Sequence, residues 1–240
     1  MPIRLGMLTP SSNTVLEPVT YAMLAGLPDV TAHFARFAVT EIALSASALC
    51  QFDDSHILRA AELLAHAKVD TIAWNGTSAS WLGFASDERL CARIEAATGI
   101  PARTTILAYR QIFRRLGVRR IGLVTPYTDD VQARIQRNWG AEGFDCSAER
   151  HFGLADNFSF AEVPPPAIED AIRAVVAQGC DAVAVLCTNM DGARIGADLE
   201  AELGVPILDS VAVTLWACLG AAGAGSGKVT GWGTVFGLAP

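Results

Sequence analysis

Twice in this chain an aspartate introduces a short apolar run that stops at a polar turn, and the surroundings of the two copies also match. Asp70 opens DTIAWNGTS and Asp181 opens DAVAVLCTNMDG. Upstream, Arg4-Leu5-Gly6-Met7-Leu8-Thr9-Pro10 resembles Arg120-Ile121-Gly122-Leu123-Val124-Thr125-Pro126; downstream, Gly99-Ile100-Pro101 resembles Gly204-Val205-Pro206. One short match would be coincidence. Three in the same order, with spacings that shrink only slightly, indicate a duplicated unit. Continuous apolar runs of this length are what a parallel sheet buried on both faces requires. The loops at the carboxyl ends of such strands are where open α/β sheets hold ligands.

Periodicity extends the pattern to the whole chain. Strands are expected over residues 3–8, 30–35, 71–74, 120–124, 144–150, 182–186 and 206–208, and helices over 14–25, 55–67, 87–98, 106–116, 129–142, 166–178, 192–203 and 210–221. This alternation means parallel strands covered by helices on both faces. The expected fold class is therefore α/β, with two pseudo-symmetric parallel-sheet lobes facing one cleft. Residues 1–104 would form the first lobe and 105–220 the second, with the chain free to re-cross near its end. The Gly-rich tail, 221–240, would pack on the first lobe or act as a lid, and Gly231-Trp232-Gly233 within it could equally be a strand. Loops 9–14, 75–80, 125–130 and 187–191 would converge on the cleft.

Composition removes several classes of function. A net charge of −7 argues against nucleic acid or an anionic membrane as partner, since both call for a basic face. The start of the chain lacks the parts of a signal peptide, and the most apolar late stretch, 211–224, is too short and Gly-rich to span a bilayer. A cytoplasmic location is expected. Cysteines stand at 50, 91, 146, 180, 187 and 218 with no CxxC, so free thiols in a reducing compartment are expected. Asp53, Asp54 and His56 suit a helix start better than a metal site, and Arg110, Arg114, Arg115, Arg119 and Arg120 suit a solvated helix end.

Four places could carry chemistry. The turn Thr9-Pro10-Ser11-Ser12-Asn13-Thr14 leads from a strand into a helix, where backbone N–H groups can hold a carboxylate; an ordinary N-cap by Ser12 or Asn13 explains it equally well. Asn75-Gly76-Thr77-Ser78 offers hydroxyls and N–H groups that could form an oxyanion hole, or simply a turn and cap. It is no nucleophile elbow, because Ser80 stands where that motif has glycine. Tyr127 follows the duplicated Thr-Pro, so its phenol either donates to an anionic oxygen or caps the lobe half-exposed. Cys187, aligned on the aspartates, occupies the counterpart of Gly76. A lone cysteine is ordinarily core, but this position at a strand end favours a functional thiol. With an unperturbed pKa of about 8.5 it is protonated near neutrality and can donate that proton.

These residues resemble the aspartate/glutamate racemase superfamily, in the branch holding arylmalonate decarboxylase and maleate cis-trans isomerase. The resemblance rests on Pro10-Ser11-Ser12-Asn13-Thr14, Gly76-Thr77-Ser78, Tyr127-Thr128-Asp129-Asp130-Val131, Asp156-Asn157, Cys187 and Leu203-Gly204-Val205-Pro206. It implies two pseudo-symmetric lobes, no cofactor, no metal, and a small carboxylate or dicarboxylate as partner; a homo-oligomer is left open. Racemases and isomerases of the superfamily carry a cysteine on each lobe, whereas here Gly76 replaces the first, as in arylmalonate decarboxylase. By that resemblance Thr77, Ser78 and Tyr127 form a dioxyanion hole and Cys187 protonates an enediolate. Ser11-Ser12-Asn13 and Asp156-Asn157 look instead like maleate isomerase, whose asparagines hold substrate carboxylate. The implied binding set is Ser11, Ser12, Asn13, Asn75, Gly76, Thr188 and Asn157. Decarboxylation is favoured, with Gly76 leaving empty space opposite the thiol. Isomerisation or racemisation through Cys187 is the second reading, and a non-catalytic carboxylate-binding protein the third.

Overall fold

In a computed structural model, residues 2–45, 48, 51 and 54–239 are described. Cys50 and Asp53 lie outside the described residues. Two four-stranded sheets, each wholly parallel, make up the scaffold. The first contains β1 (Ile3–Pro10), β2 (Val30–Phe37), β3 (Thr71–Trp74) and β4 (Ala102–Thr104) in the order β2-β1-β3-β4. The second contains β5 (Ile121–Thr125), β6 (Glu149–His151), β7 (Ala182–Val185) and β8 (Ile207–Asp209) in the order β6-β5-β7-β8. The helices are α1 (Leu16–Leu24), α2 (Asp54–His66), α3 (Ala79–Leu82), α4 (Phe84–Thr98), α5 (Thr105–Leu116), α6 (Asp129–Ala141), α7 (Pro165–Ala177), α8 (Ala193–Leu203) and α9 (Ser210–Ala221). This is the α/β architecture of paired parallel sheets that the repeat implies.

The repeated residues do the same physical work in both copies. The Asp70 carboxylate accepts from the Arg4 N–H at 2.7 Å, and the Asp181 carboxylate accepts from the Arg119 and Arg120 N–H groups at 2.8 and 2.9 Å. Each aspartate thereby pins the start of the central strand to its neighbour. Gly6 and Gly122 admit a closely packed layer: a Cβ would lie 3.0 Å from Val69 in the first copy and 2.9 Å from Cys180 in the second. Gly99 and Gly204 both end a helix in the left-handed region, at φ 70° and 67°. Glu95 and Glu200, one turn earlier, reach forward to the N–H groups of Ala102 and Ile207, tying each helix to the strand after it.

Two strands differ from expectation. Of residues 144–150 only Glu149 and Arg150 fall in a strand, β6, because Phe144 packs on Trp139 and Phe113 and Asp145, which makes a lone bridge to Arg120, bonds the Ser147 N–H in a tight turn. The three-residue β4 was not anticipated; Ala102–Thr104 is too short to show a period.

The helices after β4 and β8 are exchanged between the halves. The α5 residue Tyr109 bonds the carbonyls of Val185 and Leu208 in the second sheet, while α9 packs on β3, β4 and α1 of the first. The two meet where the Thr105 and Thr214 hydroxyls bond at 2.6 Å. Nearly all of α9 is buried, from Ser210 to Leu219, which explains its uniformly apolar sequence. The tail forms short 3₁₀ turns at Ser226–Lys228 and Thr234–Gly237, and Gly231 to Gly233 are in neither strand nor helix. It is fastened to both halves: Leu238 accepts from the Trp216 indole N–H, and Glu200 accepts from the Thr234 N–H.

Cys91, Cys146, Cys180, Cys187 and Cys218 are free thiols. Among the described residues no helix is long and apolar enough to cross a membrane, and no cluster of His, Cys, Asp and Glu could hold a metal ion.

Candidate active site

The carboxyl ends of the central strands of both sheets point at one small buried cavity. From the first half come Pro10 at the end of β1, Trp74 at the end of β3, and Gly76, Thr77, Ser78 and Trp81 in the turn leading through α3. From the second come Tyr127 after β5 and Cys187 and Thr188 after β7. Val39, Ile42 and Asn157 close the space from the loops. None of the described residues lining it carries a formal charge. An anion placed here would be held by neutral donors alone, in a setting where each counts for more than in water.

Those donors are present. The Thr77 and Tyr127 hydroxyls bond each other at 2.6 Å across the halves, and the Tyr127 hydroxyl also bonds the Cys187 sulfur. The N–H groups of Gly76, Thr77, Ser78, Cys187 and Thr188 have no acceptor among the described residues. The tyrosine ring is fixed edge-on by Trp81 and Phe160, at centroid distances of 5.2 and 5.5 Å. Burial, reinforced by Cys187, drives the Tyr127 phenol well above its usual pKa. The Cys187 thiol is pushed up to about 12, chiefly by burial and against the opposing effect of the Asn189 N–H, which donates to Sγ at 3.3 Å. At neutral pH both groups therefore keep their protons.

Behind the cavity a chain of uncharged side chains joins the halves. The Asn13 amide donates to Thr188 Oγ1 at 3.1 Å, and Thr188 donates to the Asn75 carbonyl at 3.0 Å. Asn189 accepts from the Thr14 and Val15 N–H groups with its oxygen and donates to the Asn157 carbonyl with its nitrogen. Asn157 donates to the Ser12 hydroxyl at 2.7 Å, which itself donates to the Val39 carbonyl. Over the cavity, residues 40–42 pair with 155–157: Ile42 N–H donates to Ala155 and Asn157 N–H to Thr40.

Of the residues singled out in the sequence, Gly76, Thr77, Ser78, Tyr127, Asn157, Cys187 and Thr188 line the cavity together. Ser11, Ser12, Asn13 and Asn75 stand behind it. Asn13 caps α1, accepting from the Val15 and Leu16 N–H groups, and Ser11 receives the Val39 N–H. The Asn75 amide donates to the Leu8 and Ala73 carbonyls. The helix start at 14–16 is thus already satisfied by asparagine side chains.

The expected space beside Gly76 is not there. A Cβ on Gly76 would fall 2.0 Å from the Trp74 ring, so the indole occupies the volume that a side chain at 76 would take. Sequence reasoning counted Trp74 as the last residue of a buried strand and passed over it. The signal was available, since residues two apart on extended chain share a side. Trp81, Val39 and Ile42 were missed too, for want of any motif.

A family model described as arylmalonate decarboxylase matches residues 13–236. An arylmalonate decarboxylase of Bordetella bronchiseptica is 30% identical over 164 residues, 67% of this chain and 68% of the relative. A maleate isomerase of Pseudomonas putida is 25% identical over 228 residues, 90% of each chain. Among solved structures, a variant of the Nocardia farcinica maleate cis-trans isomerase with a covalently bound succinylcysteine intermediate superposes with a TM-score of 0.88 at 22% identity, covering 98% of both chains.

Proposed function

The chain belongs to the arylmalonate decarboxylase family, and from that footing we propose that it decarboxylates a small dicarboxylic acid through an enediolate, without a cofactor. One carboxylate accepts hydrogen bonds from the Thr77, Ser78 and Tyr127 hydroxyls and from the uncommitted N–H groups of their loop. The other lies against Pro10, Val39 and Ile42, where nothing offsets its desolvation. Cleavage of the carbon–carbon bond releases carbon dioxide and leaves its electron pair on the enediolate, the charge facing the donors. Cys187 then gives its proton to the carbon and becomes a thiolate, which solvent reprotonates. A donor aimed at such an oxyanion contributes roughly 3 kcal/mol.

The observation that carries this reading is the asymmetry of the cavity: a protonated thiol on one side and an indole on the other. A two-base racemase needs an acid–base group on each side, and Trp74 is not one. Covalent isomerisation needs a thiolate, and burial holds the Cys187 proton in place. A second reading, cis-trans isomerisation, is favoured by the 90% coverage of the Pseudomonas putida maleate isomerase and by Asn157 in the cavity wall; Cys187 would then be the nucleophile. Product analysis with malonates and maleate in deuterated water separates the two. Carbon dioxide release with one deuterium on the carbon that carried the lost carboxylate is the expected result. Fumarate without carbon dioxide would replace the first reading by the second, and ligand binding without turnover would leave a carboxylate-binding protein.

A further inference from the structure

Trp74 is 1% exposed and its ring is held by Phe37, with centroids 5.0 Å apart. The ring cannot step aside without disturbing that pair. It reaches forward past its own strand end to cover Gly76, and its Nε1–H points to the Ser78 hydroxyl at 3.4 Å. What remains between it, Trp81, Tyr127 and Cys187 is about 20 Å³, room for one water molecule, whereas a cavity that holds benzene measures about 150 Å³. A flexible diacid of three or four carbons calls for less added room than an aryl ring does. A rigid six-membered ring needs a wall to move. Two of the aromatic walls, Trp81 and Tyr127, brace each other. The third, Trp74, is the one whose ring fills the volume beside Gly76.

From this geometry we infer that Trp74 is a specificity-determining residue, restricting the site to small aliphatic dicarboxylates and excluding aryl-substituted ones. The inference rests on the carboxylate reading of the cavity and adds the substrate class to it. The indole acts in two ways. Its bulk stands where an aryl group would lie, and its N–H leaves the Ser78 proton free to be donated to a carboxylate.

The test is equilibrium binding of malonate, maleate and phenylmalonate by calorimetry, in a Cys187→Ala background so that no ligand is consumed. With Trp74 in place, the small diacids should bind at least tenfold more tightly than phenylmalonate. Trp74→Leu should narrow that ratio by tenfold or more. Trp74→Phe keeps an aromatic ring but loses both the fused-ring atoms over Gly76 and the N–H, so it should narrow the preference less than Trp74→Leu does while weakening the small acids. Equal binding of phenylmalonate and malonate with Trp74 present overturns the inference alone. So does a Trp74→Leu variant that loses phenylmalonate preferentially, for then the indole is a stacking platform. Failure of every acid to bind overturns the carboxylate reading and this inference together. The steric premise has a readout without ligand: Gly76→Ala should lower the melting temperature with Trp74 present and have little effect beside Trp74→Leu. Equal losses in the two backgrounds refute it.

Discussion

Replacing Tyr127 by Phe removes one oxygen and little else. The ring contacts with Trp81 and Phe160, 5.2 and 5.5 Å between centroids, survive the change. What disappears is the 2.6 Å bond to Thr77 and the bond to the Cys187 sulfur. A neutral hydrogen bond of this kind contributes about 1 kcal/mol to stability, or a fall of roughly 2–4 °C in melting temperature for a chain of this size. The effect on turnover is expected to be much larger. An oxyanion donor is strongest when charge has built up on the oxygen, and losing one costs roughly a hundredfold to a thousandfold in kcat. Steady-state decarboxylation of a malonate, followed by carbon dioxide release, and a thermal melt measure both effects on one preparation. Thr77→Val should act alike, and the double variant should lose less than the sum, because the two hydroxyls serve one site. A fully folded Tyr127→Phe enzyme with kcat within fivefold of the parent would refute the reasoning, since the phenol would then not face the developing charge.

Cys187→Ala should reduce turnover to background while keeping malonate affinity within a few-fold; turnover retained in this variant would remove the proton-donor role. Burial raises the Asp209 carboxyl to about 8, although Val211 and Ala212 N–H groups bond one of its oxygens. Its other oxygen is buried without a hydrogen-bond partner among the described residues. The folded protein thus retains a proton that the unfolded chain releases above about pH 4, so this residue's stability contribution is full below that pH and is lost as pH rises through 8. Asp209→Asn should flatten the fall in melting temperature between pH 5 and pH 8.5, and an unchanged profile would show that this group does not cause it. Asp181 receives two backbone N–H bonds and Asp70 one. Urea melts should accordingly show Asp181→Ala to be the more destabilising, by roughly 1 kcal/mol.

Most of the scaffold was legible because duplication repeats physical constraints along with letters. An aspartate must meet N–H groups at the strand start, a glycine must admit a packed layer, and a left-handed glycine must end the helix. These demands fall on the same positions in both copies, so alignment exposes them. The clustering of Thr77, Ser78, Tyr127, Cys187 and Thr188 follows from the same alignment, since strand ends of a parallel sheet share a side. What stayed hidden depends on contacts between residues with no fixed spacing. The exchange of α5 and α9 rests on Tyr109 reaching Val185 and Thr105 meeting Thr214. The parts of Asn13 and Asn75 are set by which neighbours their amides reach. Trp74 was the costliest omission: a glycine invites the assumption of free volume, yet a large neighbour two residues away can claim it.

The helix exchange bears on how such a molecule could have arisen. A single copy of the unit would leave its sheet bare where the other copy's last helix now lies, and would project its own last helix into solvent. Two such copies could bury both surfaces only by trading those helices, as a domain-swapped dimer does. Joining them end to end turns that trade between strangers into an obligation within one polypeptide. Each half is then kept folded by a segment encoded in the other, and separating the halves after α5, at Gly117, should yield fragments that fold only when mixed.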